Sequence, residues 1–338
     1  DPGREDSMSA MRIRRREILR AAAAGAAILS LPRSGRAATV LRWGSVLAPT
    51  HPSAIMMDRV AKEVKEKTNG AVEIQTFPGG QLGSSRDVIE STATGAIQMV
   101  DEGAAQYGQF VAQFSILEAP YIWRDAAQVR RALTSSVMTE MSQLLVEKRG
   151  MRVIGGTYYG KRHLTSGTKA VRIVEDLKGF KLRIPEVDTF RAMVEAWGAR
   201  PTPMNISELY LALSQGAVDG QENPLPTIQS NKFYEVQKYL TLTGHIITPR
   251  LIAINEKSWA ALSASEQSVL RSALETHGAW QDGEILSQEA SLAETFKKAG
   301  MEVIAPDLES FRKPVLASVP AKFEDKWGKG LWERIAAL

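Results

Sequence analysis

The chain has 338 residues, with 42 lysine and arginine residues, 38 aspartate and glutamate residues and no cysteine. This length predicts about two domains, since one domain takes roughly 100–200 residues. A composition of 44% hydrophobic and 24% charged residues excludes a disordered chain, and the lack of cysteine excludes disulfides, thiol catalysis, iron–sulfur clusters and thiolate zinc sites.

The net charge of +4 belongs to residues 1–37, which carry eight arginines and four acidic residues, whereas the rest of the chain balances 34 cations against 34 anions. A basic stretch at 12–20 precedes an uncharged run at 21–31, and residues 35–37 supply the small side chains of a cleavage site. Residues 15–20 resemble the twin-arginine export motif. We therefore expect an export signal and a periplasmic product; the alternative is a basic amphipathic helix at a domain edge.

In chain order, the next part alternates strands and helices. Strands are predicted at 40–46, 71–77 and 97–100. Helices are predicted at 52–68, where Pro52 suits the first turn, and from a cap at Ser84 or Ser85 to Gly95. Strand–helix–strand–helix–strand order predicts a parallel α/β sheet.

A second α/β unit begins near residue 160. Strands are predicted at 151–155, just before it, and at 180–184 and 301–304. Helices are predicted at 189–197, 207–213 and 327–338. The capping box of Ser263 and Glu266 predicts the start of a long helix that continues to Lys298, which is long enough to span both domains.

Several classes of chemistry lack their sequence signatures. There is no G-x-G-x-x-G, no G-x-x-x-x-G-K-[ST], no G-x-S-x-G and no H-E-x-x-H, so dinucleotide, P-loop, nucleophile-elbow and zincin sites are not indicated. The balanced charge after residue 37 argues against nucleic-acid binding. An exported two-domain α/β protein without a catalytic motif favours ligand capture in the cleft between domains.

Two segments carry a family resemblance. The first is D-L-K-G-F-K-L-R-I-P at 176–185, and the second runs from P-T-P-M at 201–204 through G-A-V-D-G-Q-E-N-P at 216–224 to T-G-H at 243–245. The chain resembles the solute-binding proteins of tripartite ATP-independent periplasmic (TRAP) transporters, the DctP family, over about residues 40–310.

The resemblance implies a two-lobed α/β fold of the type II-like periplasmic-binding-protein kind, with a hinge and a long helix under both lobes. Lobe I is expected at 38–160 plus 249–288, and lobe II at 161–248 plus 289–338. The implied function is capture of a small organic acid and its delivery to TRAP membrane subunits. We expect no enzymatic activity, no metal, no cofactor, no nucleic-acid partner and a monomeric protein.

The resemblance also implies roles for individual residues. Arg183 corresponds to the central carboxylate-binding arginine of the family, Arg162 to a second arginine and Asn223 to an amide of the cleft. A guanidinium offers parallel donors to both oxygens of a carboxylate and stays charged when desolvated. Asparagine can donate to one oxygen and accept from a hydroxyl group.

Further site candidates follow from position along the chain. We expect Tyr159 rather than Tyr158 to face the cleft, because neighbouring residues of a strand point to opposite faces. Met204, Glu222 and His51 are also candidate ligand contacts. Their structural alternatives are core filling for the methionine, bracing of an arginine or capping of a helix for the glutamate, and the start of a helix for the histidine.

The ligand class is argued from the first lobe. Sialic-acid-binding members of the family carry extra polar residues there, and this chain differs at the matching positions, which disfavours sialic acid. Those positions hold Val46, Ser85, Gly103 and Gln106. Asp101 and Glu102 follow the third strand, where carboxylates would accept from hydroxyl groups and repel a second carboxylate. The hypothesis is a hydroxylated monocarboxylate such as a hexuronate; a C4-dicarboxylate or a 2-oxo or hydroxy acid is the alternative.

Three rival functions remain open at this stage. An exported lyase or hydrolase would convert acidic sugars instead of returning them unchanged. A receptor would hand its ligand to a sensor protein. A binding protein of an ATP-driven importer is the third, and the TRAP-type motifs argue against it.

Overall fold

The computed structural model describes residues 38–338, so the expected export signal at 1–37 lies outside the described part. The strands are β1 Thr39–Ser45, β2 Val72–Phe77, β3 Met99–Gly103, β4 Met151–Ser166, β5 Lys181–Ile184, β6 Arg200–Pro203, β7 Gly220–Pro224, β8 Tyr239–Thr241, β9 Ile247–Asn255 and β10 Glu302–Ile304. The helices are α1 Pro52–Lys67, α2 Ser85–Thr94, α3 Ala126–Leu133, α4 Ser136–Arg149, α5 Asp188–Ala196, α6 Ile206–Ser214, α7 Leu225–Ser230, α8 Glu256–Ala261, α9 Ala264–Lys298, α10 Leu308–Trp327 and α11 Leu331–Ala336.

The first sheet has the strand order β2-β1-β3-β9-β4. The parallel arrangement predicted for the first three strands is confirmed, because β1 pairs in parallel with both β2 and β3. The sheet is nevertheless mixed, since β9 runs antiparallel to β3 and to β4. Strand β9 was missed in the sequence because it contains Pro249, which cannot donate a ladder hydrogen bond and argues against a central strand. Pro249 lies opposite Tyr158, next to an irregularity in the ladder between Tyr158 and Gly160.

Strand β4 joins the two sheets. Its residues from Met151 to Lys161 pair with β9, and those from Arg162 to Ser166 pair with β7 in the second sheet, which also contains β5, β6, β8 and β10. The predicted end of this strand at residue 155 is wrong, because the strand continues through two ladder irregularities, between Val153 and Gly155 and between Tyr158 and Gly160. Gly160 has a φ of 129°, and a Cβ there would lie 2.8 Å from Cβ of Pro224. The limits of the two lobes stay a prediction.

The long helix α9 runs beneath both sheets. It starts at the predicted capping box, in which Ser263 and Glu266 each accept from the other's backbone N–H. Its 35 residues span about 52 Å at roughly 1.5 Å per residue. Near its start Leu274 packs into a core with α1, and near its end Phe296 packs into another with α6 and α7. One helix therefore carries part of both cores, which confirms the predicted two-lobed α/β architecture.

The predicted bounds of two elements, the third strand and the final helix, are wrong. Strand β3 occupies 99–103 instead of 97–100, which places Asp101 and Glu102 within the strand. The final helix covers only 331–336, and the longer helix α10 at 308–327 precedes it. Helix α10 was missed because Pro314 and Pro320 lie inside it, and interior prolines normally end a helix. Its apolar residues at intervals of four compensate by packing into the largest core. They are Phe311, Val315, Val319, Phe323 and Trp327.

Within residues 38–338, no helix combines the length and the apolar character that crossing a membrane requires.

Candidate functional site: a cavity between the sheets

The candidate site is a cavity between the two sheets, of about 650 Å³ when its open mouth is included. The lining residues follow the carboxyl ends of β1, β3, β5 and β6 and also come from β4, β7 and β9. The carboxyl ends of parallel strands share one edge of a sheet. The parallel pairing of β1 with β3 and of β5 with β6 therefore places the lining residues of each pair side by side.

Arg183 reaches this cavity from β5. The strand ends one residue later, before Pro185, so the side chain points off the sheet edge, where it is only 3% exposed. Its Nε and Nη2 donate to the carbonyl oxygen of Met204 at 3.0 and 2.6 Å. In the described part of the chain no carboxylate lies within ion-pair distance of it. Burial lowers the pKa of Arg183 to about 10, since a desolvated cation without a counter-ion is destabilised.

Arg162, in contrast, is held by a carboxylate. Its Nε and Nη2 donate to the two carboxylate oxygens of Glu222 at 2.5 and 2.8 Å, and Nη2 also reaches the Asn223 side-chain oxygen at 3.1 Å. His245 bonds the same Glu222 carboxylate at 3.0 Å. Burial opposes charge on Arg162, but Glu222 outweighs it and raises the arginine's pKa. Glu222 therefore braces Arg162, which is the structural alternative weighed for it in the sequence.

A third buried arginine, Arg250 on β9, also lines the cavity. Its Nε donates to Asp101 at 2.9 Å, its Nη2 donates to the backbone oxygen of Asp101 at 2.5 Å, and Glu102 lies 3.8 Å away. Burial lowers the pKa of Arg250, but these carboxylates outweigh it and raise it above its usual value. Arg250 is not among the residues predicted from the sequence, because the strand that carries it was not predicted. The continuous apolar run at 251–254 was the available signal.

Tyr159 faces the cavity, as expected, and is positioned from behind. Thr227 on α7 donates to the tyrosine oxygen at 2.6 Å, and the His51 ring lies 5.4 Å from the tyrosine ring. Nδ1 of His51 accepts from the backbone N–H of Ser53 and so caps α1. Burial, and next the charge of Arg250, lower the pKa of His51 to about 3, so this ring is neutral.

The structure brings most of the sequence-predicted site residues to one cavity. Those that line it are Arg183, Arg162, Asn223, Tyr159, Glu102 and Met204. Asp101, Glu222 and His51 do not line it; they lie behind it as partners of Arg250, Arg162 and Tyr159. The lining residues that the sequence analysis did not propose as ligand contacts include Arg250, Glu118 and Thr248.

This arrangement suits an anion. Three buried guanidinium groups face the cavity, and among them only the one on Arg183 lacks a carboxylate partner within residues 38–338. The exposed Arg86 also lines the cavity and pairs with Glu90. Among those residues, no group of three or more histidine, aspartate or glutamate side chains could hold a metal ion. The site can therefore bind one carboxylate directly through protein side chains, with amide, hydroxyl and carboxylate groups around it for the rest of the ligand.

Comparison with known proteins agrees with this architecture. The model of the bacterial extracellular solute-binding protein family 7, DctP, matches residues 43–326. The sialic acid-binding periplasmic protein SiaP of Vibrio cholerae is 33% identical over 313 residues, which cover 92% of this chain and 96% of that protein.

Solved structures of TRAP periplasmic solute-binding proteins show the same fold. One from a Polaromonas species, bound to D-erythronate, is 32% identical with a TM-score of 0.84 and covers 89% of this chain and 99% of its own. One from Actinobacillus succinogenes, with bound L-galactonate, is 30% identical with a TM-score of 0.84 and covers 88% and 98%.

The chain thus has the two-lobed fold of a periplasmic binding protein. It belongs to the family 7 extracellular solute-binding proteins, the periplasmic components that capture small organic acids for TRAP transporters. This family binds its substrates and is not a family of enzymes.

Proposed function

We propose that this protein captures a hydroxylated monocarboxylate, with a sugar acid such as a hexuronate as the preferred ligand, and delivers it to a TRAP membrane transporter. The observation that carries the proposal is the unequal pairing of the buried arginines. Arg162 and Arg250 are already neutralised by carboxylates, whereas Arg183 is not. One ligand carboxylate bound to Arg183 would neutralise the remaining buried arginine.

The rest of the cavity favours hydroxyl groups over a second carboxylate. Glu102 and Glu118 line it together with Asn223, and carboxylates accept from hydroxyl groups but repel another anion. Two solved relatives hold D-erythronate and L-galactonate, which carry several hydroxyl groups on one carboxylic acid. The four first-lobe positions that argue against sialic acid all line the cavity. They are Val46, Ser85, Gly103 and Gln106.

A thermal-shift screen of the purified protein tests this proposal. The panel contains D-galacturonate, D-glucuronate, L-galactonate and D-erythronate, with succinate, malate and sialic acid as the competing classes. We expect stabilisation by at least one uronate or aldonate and a weaker response to the dicarboxylates. Stabilisation by succinate or malate alone would refute the sugar-acid assignment. Mass spectrometry of the released ligand must show it unchanged, because conversion would indicate an exported lyase or hydrolase.

We also propose that residues 1–37 direct export by the twin-arginine route and that the product acts as a monomer. The support is the R-R-E-I-L-R sequence at 15–20. Replacing Arg15 and Arg16 together by lysine should leave the precursor in the cytoplasm, whereas wild-type protein reaches the periplasm. Export of the double variant at the wild-type level would refute the route, and a dimer in size-exclusion chromatography would refute the monomer.

A further inference from the structure

Glu118 is a buried carboxylate at the cavity wall. It ends the short 3-10 helix Ala112–Glu118, is 4% exposed and lines the cavity. The backbone N–H of Ala105 donates to its Oε1 at 2.8 Å. Within the described residues, this carboxylate accepts no other hydrogen bond and forms no ion pair.

The neighbouring carboxylates are better satisfied. Asp101 pairs with Arg250, Glu222 pairs with Arg162, and Glu102 accepts from the Ser85 hydroxyl at 2.9 Å and from a backbone N–H. A buried polar group with unused hydrogen-bonding capacity is costly. Glu118 is therefore the carboxylate of this group whose remaining capacity is available to a bound molecule.

Gly103 makes room for this carboxylate. A Cβ on that glycine would lie 2.8 Å from Oε1 of Glu118, closer than real contacts allow. A side chain at position 103 would therefore displace the Glu118 carboxylate. Glycine at the end of β3 leaves this carboxylate the room that it occupies in the wall.

The surroundings of Glu118 favour its neutral form. Burial raises the pKa of Glu118 to about 7, against the attraction of Arg162 and Arg250 and with the repulsion of Glu102. These three groups face it from β4, β9 and β3. Helices α5 and α10 also pack against the 112–118 segment, and their charged residues border a separate cavity beside Ser115. They are Asp188, Arg191 and Lys326.

We propose that Glu118 is a ligand-specificity residue that contacts a hydroxyl group of the bound acid and takes up one proton from solvent as the anion enters. This inference rests on the proposed function of the same cavity. A carboxylate on Arg183 adds negative charge and displaces water, and both changes disfavour a second ionised carboxyl nearby. The proton stays on Glu118, which then donates to the hydroxyl oxygen, and no bond of the ligand is made or broken.

Calorimetric titration in two buffers of different ionisation enthalpy measures the proton directly. With D-galacturonate or L-galactonate as probe at pH 7, we expect uptake of about half a proton, since a group with a pKa near 7 is about half protonated beforehand. Affinity should fall about tenfold from pH 6 to pH 8, because the complex holds the extra proton. In Glu118→Gln the uptake should vanish and the affinity should become independent of pH.

The matched control is Glu175→Gln, which changes an exposed glutamate at another 3-10 turn and should keep wild-type proton uptake. Melting curves establish that both variants are folded, and the glutamine oxygen can still accept from Ala105. Equal uptake in wild type and Glu118→Gln, or no uptake in wild type, overturns the inference.

The proposed function can fail separately. If the wild type binds succinate and neither sugar acid, the sugar-acid assignment and the hydroxyl contact are both refuted. The same two-buffer titration with succinate then still decides whether Glu118 takes up a proton.

Discussion

Replacing Arg183 by methionine should weaken ligand binding at least about tenfold without destabilising the ligand-free protein. Burial lowers the pKa of Arg183 to about 10, which corresponds to roughly 3 kcal/mol of unfavourable burial of the charged form, at about 1.4 kcal/mol per pH unit. Methionine removes this penalty and leaves the Met204 carbonyl without its two donors, which costs about 1–3 kcal/mol. The free energy of unfolding should therefore stay the same or rise slightly.

Ligand affinity should respond in the opposite sense. A charge-assisted hydrogen bond contributes about 1.5–3 kcal/mol, so loss of the pairing at Arg183 should weaken binding by at least roughly tenfold. The control is Arg162→Met, which strands the buried Glu222 carboxylate and should destabilise the free protein by about 3–5 kcal/mol. Guanidinium unfolding of the ligand-free variants and calorimetric titration measure the two effects. An Arg183→Met protein that loses as much stability as Arg162→Met, or that binds ligand normally, would refute this reasoning.

Three further predictions address closure, shape and pH. Nε2 of Gln109 donates to the backbone oxygen of Glu186 at 3.0 Å across the mouth of the cavity. Gln109→Ala should therefore raise the ligand dissociation rate about 2–10-fold in stopped-flow measurements. An unchanged rate would contradict a role of this bond in closure. Gly103→Ala should displace the Glu118 carboxylate and weaken sugar-acid binding while the protein stays folded by circular dichroism; wild-type affinity would show that the wall adapts. The pKa of Glu118 is raised from 4.5 to about 7 in the folded protein, so its contribution to stability is complete below pH 4.5 and is lost as pH rises through 7. Melting temperatures of wild type and Glu118→Gln should therefore diverge in favour of the variant from pH 5 to pH 8, and parallel curves would exclude this titration.

Sequence reasoning located the parts of the site that lie in recognisable segments. The family resemblance implied Arg183 and Asn223 through two contiguous segments, K-L-R-I-P at 181–185 and D-G-Q-E-N-P at 219–224, and both residues line the cavity. Whether an arginine is paired cannot be seen in this way. Arg162 and Glu222 are 60 residues apart, and only the antiparallel pairing of β4 with β7 makes them neighbours.

Two site residues that were not predicted lie on elements whose local sequence argues against the structure that they form. Arg250 lies on strand β9, whose third residue is Pro249. Glu118 lies on a short 3-10 helix that has no regular hydrophobic period. The same conflict hid α10, whose prolines are outweighed by the burial of its apolar face. In each case tertiary packing overrides a local preference, and the local preference is all that a single sequence shows.

From the proposed function and the charge balance around the cavity, we expect the number of carboxylates on a ligand to matter more than its size. Among the described residues at and behind the wall, three buried arginines face four buried carboxylates. They are Arg162, Arg183 and Arg250, and Asp101, Glu102, Glu118 and Glu222. We expect a monocarboxylate to bind because Arg183 has no carboxylate partner in the described residues and because, as proposed, Glu118 takes up a proton. A dicarboxylate adds a second anion for which this part of the structure holds no further unpaired buried arginine, so it must either protonate or displace an existing ion pair. Breaking a buried pair costs several kcal/mol, so the pairing of the arginines predicts selectivity for ligands with one carboxylate.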